Sequence, residues 1–226
     1  RENACMSILR ELFGPSKEVI WNQLAQETGA IHTSGGFLKK SKVEASHGEW
    51  TITLDTHTVR SRRSSRYTTT NYTRFRAPYV NADNFFFTVY PEGFLASIGK
   101  SLGLVQDVIV GHDELDHNFV IQGNNEEKLK ELFQNKYIRE LLLNQENFQL
   151  TVQDNEGWFG QNYPDNTDLL EFKTYGIIKD VDRLKQLFYL FAETLDQLCS
   201  IGSAYKDHPG IHLIDWTRLL SEIHPV

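Results

Sequence analysis

Trp50, Ile52 and Leu54 occupy every second position of the segment "EWTITLDT", with Thr51, Thr53 and Asp55 between them. Side chains of a strand alternate between its two faces, so this pattern predicts a strand with one buried and one polar face. A strand over "SKVEASH" precedes it. A strand from Tyr72 to Tyr79 and the run "FFFTVY" follow, the latter ended by Pro91-Glu92-Gly93. Farther on, "QDVIVG" and "NFVIQG" form one expected pair, and "NFQLTVQDNEGWFG" and "LLEFKTYGIIKD" another. The strands come in hairpin groups, without the strict strand–helix–strand alternation of a parallel sheet. The expected class is therefore α+β, with an antiparallel sheet of about eight strands in hairpin and meander groups and helices packed mainly on one face.

The helices follow from period 3.6. Ser16 is placed to cap "KEVIWNQLAQETG", in which Ile20, Trp21 and Leu24 share a face, and Gly29 stops it. "NEEKLKELFQNKYIRELLLN" reads as one helix with Leu129, Leu132, Phe133, Tyr137, Ile138, Leu141 and Leu142 as its stripe. Asn124, with Glu127 three residues on, resembles a capping box for it. Asp180 is the expected cap of "VDRLKQLFYLFAETLDQLCSIGSA", whose apolar face is Leu184, Leu187, Phe188, Phe191, Leu195 and Leu198. Shorter helices are expected in "SILRELFG", "FLASIGKSLGL" and "DWTRLLSEI".

The chain has 226 residues, 40% of them hydrophobic and 12% aromatic, enough for a sizeable core. One domain over 1–226 is expected, with 1–5 outside the pattern and 207–226 as a C-terminal extension. There is no apolar run of membrane-spanning length. Two cysteines, Cys5 and Cys199, do not make a disulfide framework. That usage, with no secretory layout at the start of the sequence, points to a cytoplasmic location. The net charge of −7 disfavours nucleic-acid binding by the molecule as a whole.

One segment runs against that charge. Arg60, Arg62, Arg63, Arg66, Arg74 and Arg76 are six of the chain's eleven arginines, within seventeen residues. The first four fall in an expected Ser/Thr-rich loop. Arg74 and Arg76 share a strand face with Tyr72. Such a patch suits an anionic ligand, nucleotide or nucleic acid, with Tyr67 and Tyr72 for stacking. The competing reading is a solvated hairpin tip plus outward arginines paired with acids such as Asp55 or Asp107, and it is favoured.

"VGHDELDHNFVIQGNN" puts His112, Asp113, Asp116 and His117 within six positions. Imidazole and carboxylate together suit zinc, iron or manganese. The spacing fits no known zinc motif, and an acidic connection between two strands is the favoured reading. Nucleotide-binding glycine motifs and the nucleophile elbow are absent. Cys199 reads as a small buried hydrophobe. Trp158, Phe159 and Tyr163 read as a loop covering the core.

"EWTITLDT", "YTRFRAPYV", "LDHNFVIQGNNEEKLKELF" and "GSAYKDHPG" together resemble a group of bacterial proteins of unknown function. These carry an F/L-D-x-x-F-[VI]-[IV]-x-G-[ND]-[DN]-E stretch leading into a helix. The likeness extends more loosely to domains of membrane-associated bacterial proteins, whose transmembrane helices this chain departs from by lacking. The resemblance implies a bacterial origin and an α+β fold, and it implies no activity and no catalytic residue. The leading expectation is a non-enzymatic binding module with an unidentified protein partner and no cofactor. Local polyanion binding and metal-dependent chemistry are the alternatives.

Overall fold

The computed structural model describes residues 15–36, 40–63, 66–92, 107–153 and 166–210. The expected helices in 7–14, 94–104 and 215–223 and the aromatic loop at 156–164 lie outside them.

The described residues build one nine-stranded sheet in which every pairing is antiparallel. Its strands are β1 (Ile31–Thr33), β2 (Lys42–His47), β3 (Trp50–Arg63), β4 (Arg66–Asn81), β5 (Phe87–Pro91), β6 (Phe119–Gly123), β7 (Phe148–Gln153), β8 (Thr167–Tyr175) and β9 (Ala204–Tyr205). Their order is β1-β2-β3-β4-β8-β7-β5-β6, with β9 paired to the end of β4. The five helices are α1 (Lys17–Thr28), α2 (Asp113–Asn118), α3 (Glu126–Leu132), α4 (Lys136–Leu143) and α5 (Val181–Ser200). Among the described residues no helix is long and apolar enough to cross a membrane.

Register puts Val43, Leu54, Phe75 and Phe172 side by side on one face of the sheet. α5 lies over them. Phe188 meets Phe75 edge-on at 5.0 Å, and Phe191 lies 5.8 Å from the same ring. Phe172 stacks on Phe148 at 5.3 Å, and Phe119 meets Phe148 at 5.3 Å. Each such ring, taken fully out of water, contributes about 1.5–3 kcal/mol. The expected apolar face of α5 is buried in full, as are Trp50, Ile52, Leu54, Phe85, Phe87 and Val89. Asp180 caps α5 by accepting from the Arg183 N–H at 2.9 Å. Ser16 caps α1, and Gly29 ends it in the left-handed conformation at φ 72°.

Three segments depart from the sequence expectation. The single helix expected over 125–144 is two helices. Asn135 Oδ1 accepts from the N–H groups of Tyr137 and Ile138, at 2.9 and 3.3 Å, and starts α4 afresh. Leu129 and Leu132 of α3 and Ile138 and Leu142 of α4 are fully buried, whereas Tyr137 is exposed. The break lets each short helix aim its own stripe inward. The cap of α3 is Asn125, which accepts from the Lys128 N–H. Asn124 instead ties two loops, accepting from Phe86 N–H and donating to Asn84 O.

The acidic connection is a helix, α2, and "QDVIVG" is not a strand from Asp107 on. What pairs with β6 there is one bridge, Asp107 with Gln122, and a bond from Val108 N–H to Ile121 O at 2.8 Å. Lastly, the basic segment is not a loop. β3 and β4 continue as paired strands to Arg63 opposite Arg66. The Thr and Val residues of "THTV" and "TTT" are β-branched and favour extended backbone. That preference outweighs the polarity that suggested a loop.

Candidate functional site

The long hairpin divides into a base and a ribbon. At the base, β4 lies between β3 and β8. Register sets Asp55 beside Arg74, Arg74 beside Lys173, and Arg76 beside Glu171, all on the face away from Phe75. The Arg74 fork donates Nε to Asp55 Oδ1 at 2.8 Å and Nη2 to Oδ2 at 2.9 Å. Arg76 Nη2 donates to the same Oδ2 at 2.5 Å. Glu171 accepts from Lys173 and lies 3.8 Å from Arg74 Nη1. Burial alone would raise the Asp55 carboxyl, but the Arg76 and Arg74 guanidiniums outweigh it and hold the group far below the usual carboxylate range. Thr53, Thr88, Gln149 and Thr151 extend this buried polar face.

Arg74 and Arg76 are thus spent inside the sheet, on Asp55, as the competing reading of the sequence held. Tyr72 is buried too, with its ring 5.1 Å from Tyr175 and 6.3 Å from His57. It offers no open face for stacking on a ligand. Burial, and then the neighbouring Arg74 and Lys173 charges, push His57 down to about 4. The sequence did not single out Glu171, Lys173 and Tyr175. Their alternation with Phe172 and Thr174 in "EFKTY" was the available signal.

Beyond the base, the ribbon stands apart. β2 pairs with β3 only over Trp50–Leu54, and β8 with β4 only over Tyr72–Val80. In strand register, Thr58–Arg63 and Arg66–Asn71 therefore pair with each other alone. One face carries the pairs Thr58–Asn71, Arg60–Thr69 and Arg62–Tyr67. Arg62 lies over the Tyr67 ring at 5.5 Å, and Tyr67 is 72% exposed. Arg60 and Arg62 are exposed, and neither is held in a salt bridge with a described residue. The ribbon strands pair only with each other and carry no Asp or Glu, so register brings no acid opposite these arginines. Arg63 and Arg66 close the register at the tip.

The His–Asp quartet is not gathered into a ligand set. Asp116 accepts three backbone N–H bonds, from Val110, Gly111 and His112, at 2.9, 2.9 and 3.0 Å. It thereby folds the segment before α2 over that short helix. His112 Nε2 lies 3.4 Å from Arg139 Nη1, a fixed positive charge where a cation would have to sit. Asp113 and His117 are exposed. Among the described residues, no group of three or more His, Cys, Asp or Glu is arranged to hold a metal ion.

Two shallow depressions, of about 310 and 390 Å³, flank α2 and α4 and meet at Leu143. Neither touches the ribbon. Lys128 Nζ donates to Ser203 Oγ at 2.9 Å and to Ile201 O at 3.2 Å, and pairs with Asp83. These bonds make Lys128 a latch between α3, the turn after α5 and the turn after β4. Burial raises the Cys199 thiol, which keeps it protonated.

The fold is an α+β sheet-and-helix arrangement with a solved counterpart. The crystal structure of the mycobacterial trehalose monomycolate transport factor A, TtfA, aligns with 84% of this chain and 97% of its own, at a TM-score of 0.50 and 6% sequence identity. That likeness concerns the fold alone. No family model and no curated protein matches the chain.

Proposed function

We propose that the protein is a non-enzymatic binding module whose docking element is the β3–β4 ribbon, and that its partner is an anionic macromolecule. One contrast carries the reading. The arginines of the base are neutralised within the sheet, while Arg60 and Arg62 are exposed and in no salt bridge with a described residue. Four ribbon arginines with no acid between them give the ribbon +4, so the remainder of the chain carries −7 − 4 = −11. Like charge on the body keeps a polyanion off it and confines contact to the ribbon. The ribbon's length, about 3.3 Å per residue over six residues, exceeds the roughly 8 Å screening length of physiological salt.

The binding reading also draws on what the body lacks as a catalyst. Lys128 and Ser203 are committed to the latch, and burial raises the Cys199 thiol. The solved neighbour is a trehalose monomycolate transport factor.

The test is retention on immobilised heparin along a salt gradient. The unaltered protein should elute well after an Arg60→Ala/Arg62→Ala variant of equal thermal stability. Co-elution of the two would sink the proposal.

A further inference from the structure

We infer that the ribbon's partner is single-stranded nucleic acid, because one ribbon face sets the guanidiniums of Arg60 and Arg62, neither in a salt bridge with a described residue, beside the exposed ring of Tyr67. This rests on the ribbon being the docking element and adds the class of partner.

Arg60 and Arg62 are two positions apart on one strand, so their Cα atoms are about 6.6 Å apart on the same face. Two guanidiniums at that repeat can each take a phosphate of an extended chain. Beside them the ring of Tyr67 is a platform for a base, and sequence-tolerant binding of single strands combines these two elements. The rest of the face is polar. Thr58 donates its hydroxyl to Asn71 Oδ1 at 2.9 Å, which leaves the Asn71 NH₂ to donate outward. Thr69 lies opposite Arg60. Hydroxyl and amide groups of this kind contact phosphate and sugar.

Two other polyanions fit less well. A bilayer surface is held by basic residues together with an apolar face that enters it. Val59 and Tyr67 are the large hydrophobics exposed on the described ribbon, and register places them on opposite faces, Val59 with Thr70 and Tyr67 with Arg62. No apolar face results. A duplex keeps its bases stacked on each other, so it presents no free base to Tyr67.

The experiment is fluorescence anisotropy of the full chain with a labelled fifteen-nucleotide oligouridylate, between 50 and 200 mM NaCl. Single strands release about 0.7 counterion per phosphate neutralised. The two arginines of that face then predict about a 7-fold loss of affinity across that range, and Arg60→Ala/Arg62→Ala should remove most of that salt dependence. Tyr67→Ala should weaken binding roughly tenfold without changing the salt slope, and Tyr67→Phe should restore it. A duplex of the same length should bind with no dependence on Tyr67. Binding indifferent to Tyr67→Ala overturns the inference. So does binding to phosphatidylglycerol vesicles in place of the oligonucleotide; heparin retention would persist in that case, and the docking role would stand. Loss of heparin retention as well would remove both.

Discussion

Asp55 and Arg74 face each other across β3 and β4 in a two-bond fork of 2.8 and 2.9 Å, and Arg76 shares the same carboxylate. One acid thus answers two cations in a buried position, so Asp55→Asn should cost more than the reverse change at either arginine. Removing one partner of a buried ion pair typically costs about 3–5 kcal/mol. The pair also sets a pH dependence. The folded-state pKa of Asp55 lies below its unfolded value. Its stabilisation is therefore complete above the unfolded pKa of about 3.9 and is lost as pH falls below it. Urea unfolding at a series of pH values from 3 to 7 measures this. An Asp55→Asn variant should lose part of the acid-side slope of the unaltered protein, and equal slopes would refute the assignment.

His57 titrates in the opposite chemical sense. Burial, with Arg74 and Lys173 behind it, lowers it to about 4, against about 6.5 for a free imidazole. The unfolded chain binds the proton first, so stability declines as pH falls from about 6.5 and the loss is complete below 4. The ring C–H resonances of His57 should not titrate until well below pH 5. Lys173→Met should move the midpoint upward. A midpoint near 6.5 in the unaltered protein would contradict the half-buried, cation-flanked setting.

Gly123 shows how the signature stretch works physically. A Cβ there would come within 2.8 Å of Phe86 O and 2.9 Å of Leu129 Cδ1. The residue is where β6 passes beneath α3 and beside β5, and hydrogen alone fits. Gly123→Ala should destabilise by about 1–3 kcal/mol, the range for overpacking a tight interior. Thermal unfolding reads this directly. An unchanged midpoint would mean that the backbone of β5 yields, against the close approach seen.

Strand content and core faces were legible because periodicity follows burial directly: Trp50, Ile52 and Leu54, or Leu184 through Leu198, announce one buried side. The break at Phe133-Gln134-Asn135 was not. Its apolar residues continue at helical spacing, and only the Asn135 side chain, turned onto the backbone of Tyr137 and Ile138, marks the restart. α2 was missed for a similar reason. Six polar-rich residues with one buried leucine, Leu115, carry too little pattern, and the segment is held by Asp116 reaching backwards to three N–H groups. At the candidate site, the residue types of the basic segment were readable and their partners were not. Whether an arginine is neutralised depends on which acid the register brings opposite. Asp55 is nineteen positions from Arg74, and Glu171 far more distant, so sequence proximity says nothing of the pairing.

Asn135 offers a separate measure of that restart. Its Oδ1 caps α4, and its Nδ2 donates to Glu193 Oε2 of α5 at 3.0 Å. Asn135→Ala removes both and should cost about 1–2 kcal/mol. Asn135→Asp retains the cap and loses the donor while placing a second carboxylate beside Glu193. In urea unfolding its deficit should shrink with added salt, which screens the two carboxylates, whereas that of Asn135→Ala stays flat with salt. Parallel behaviour would remove Glu193 from the account.

The ribbon's separateness from the sheet has a dynamic consequence. Two strands paired only with each other are marginally stable, because each backbone group has one neighbour and little apolar cover. Thr58, Val59, Arg60, Arg62, Tyr67, Thr68 and Thr69 are all exposed, whereas Phe75 and Ala77 on the same β4 strand are fully buried between β3 and β8. Amide hydrogen exchange along β4 should therefore change sharply near Tyr72. Amides on the Tyr67–Asn71 side should exchange by local opening, and those of Phe75–Tyr79 only with global unfolding. Added denaturant separates the two regimes, since local opening exposes little surface and responds weakly to it. Bound polyanion should slow exchange on the ribbon side and leave the base unchanged. Uniform protection along β4 in the free protein would show that the ribbon is covered, and that its arginines are not the docking face.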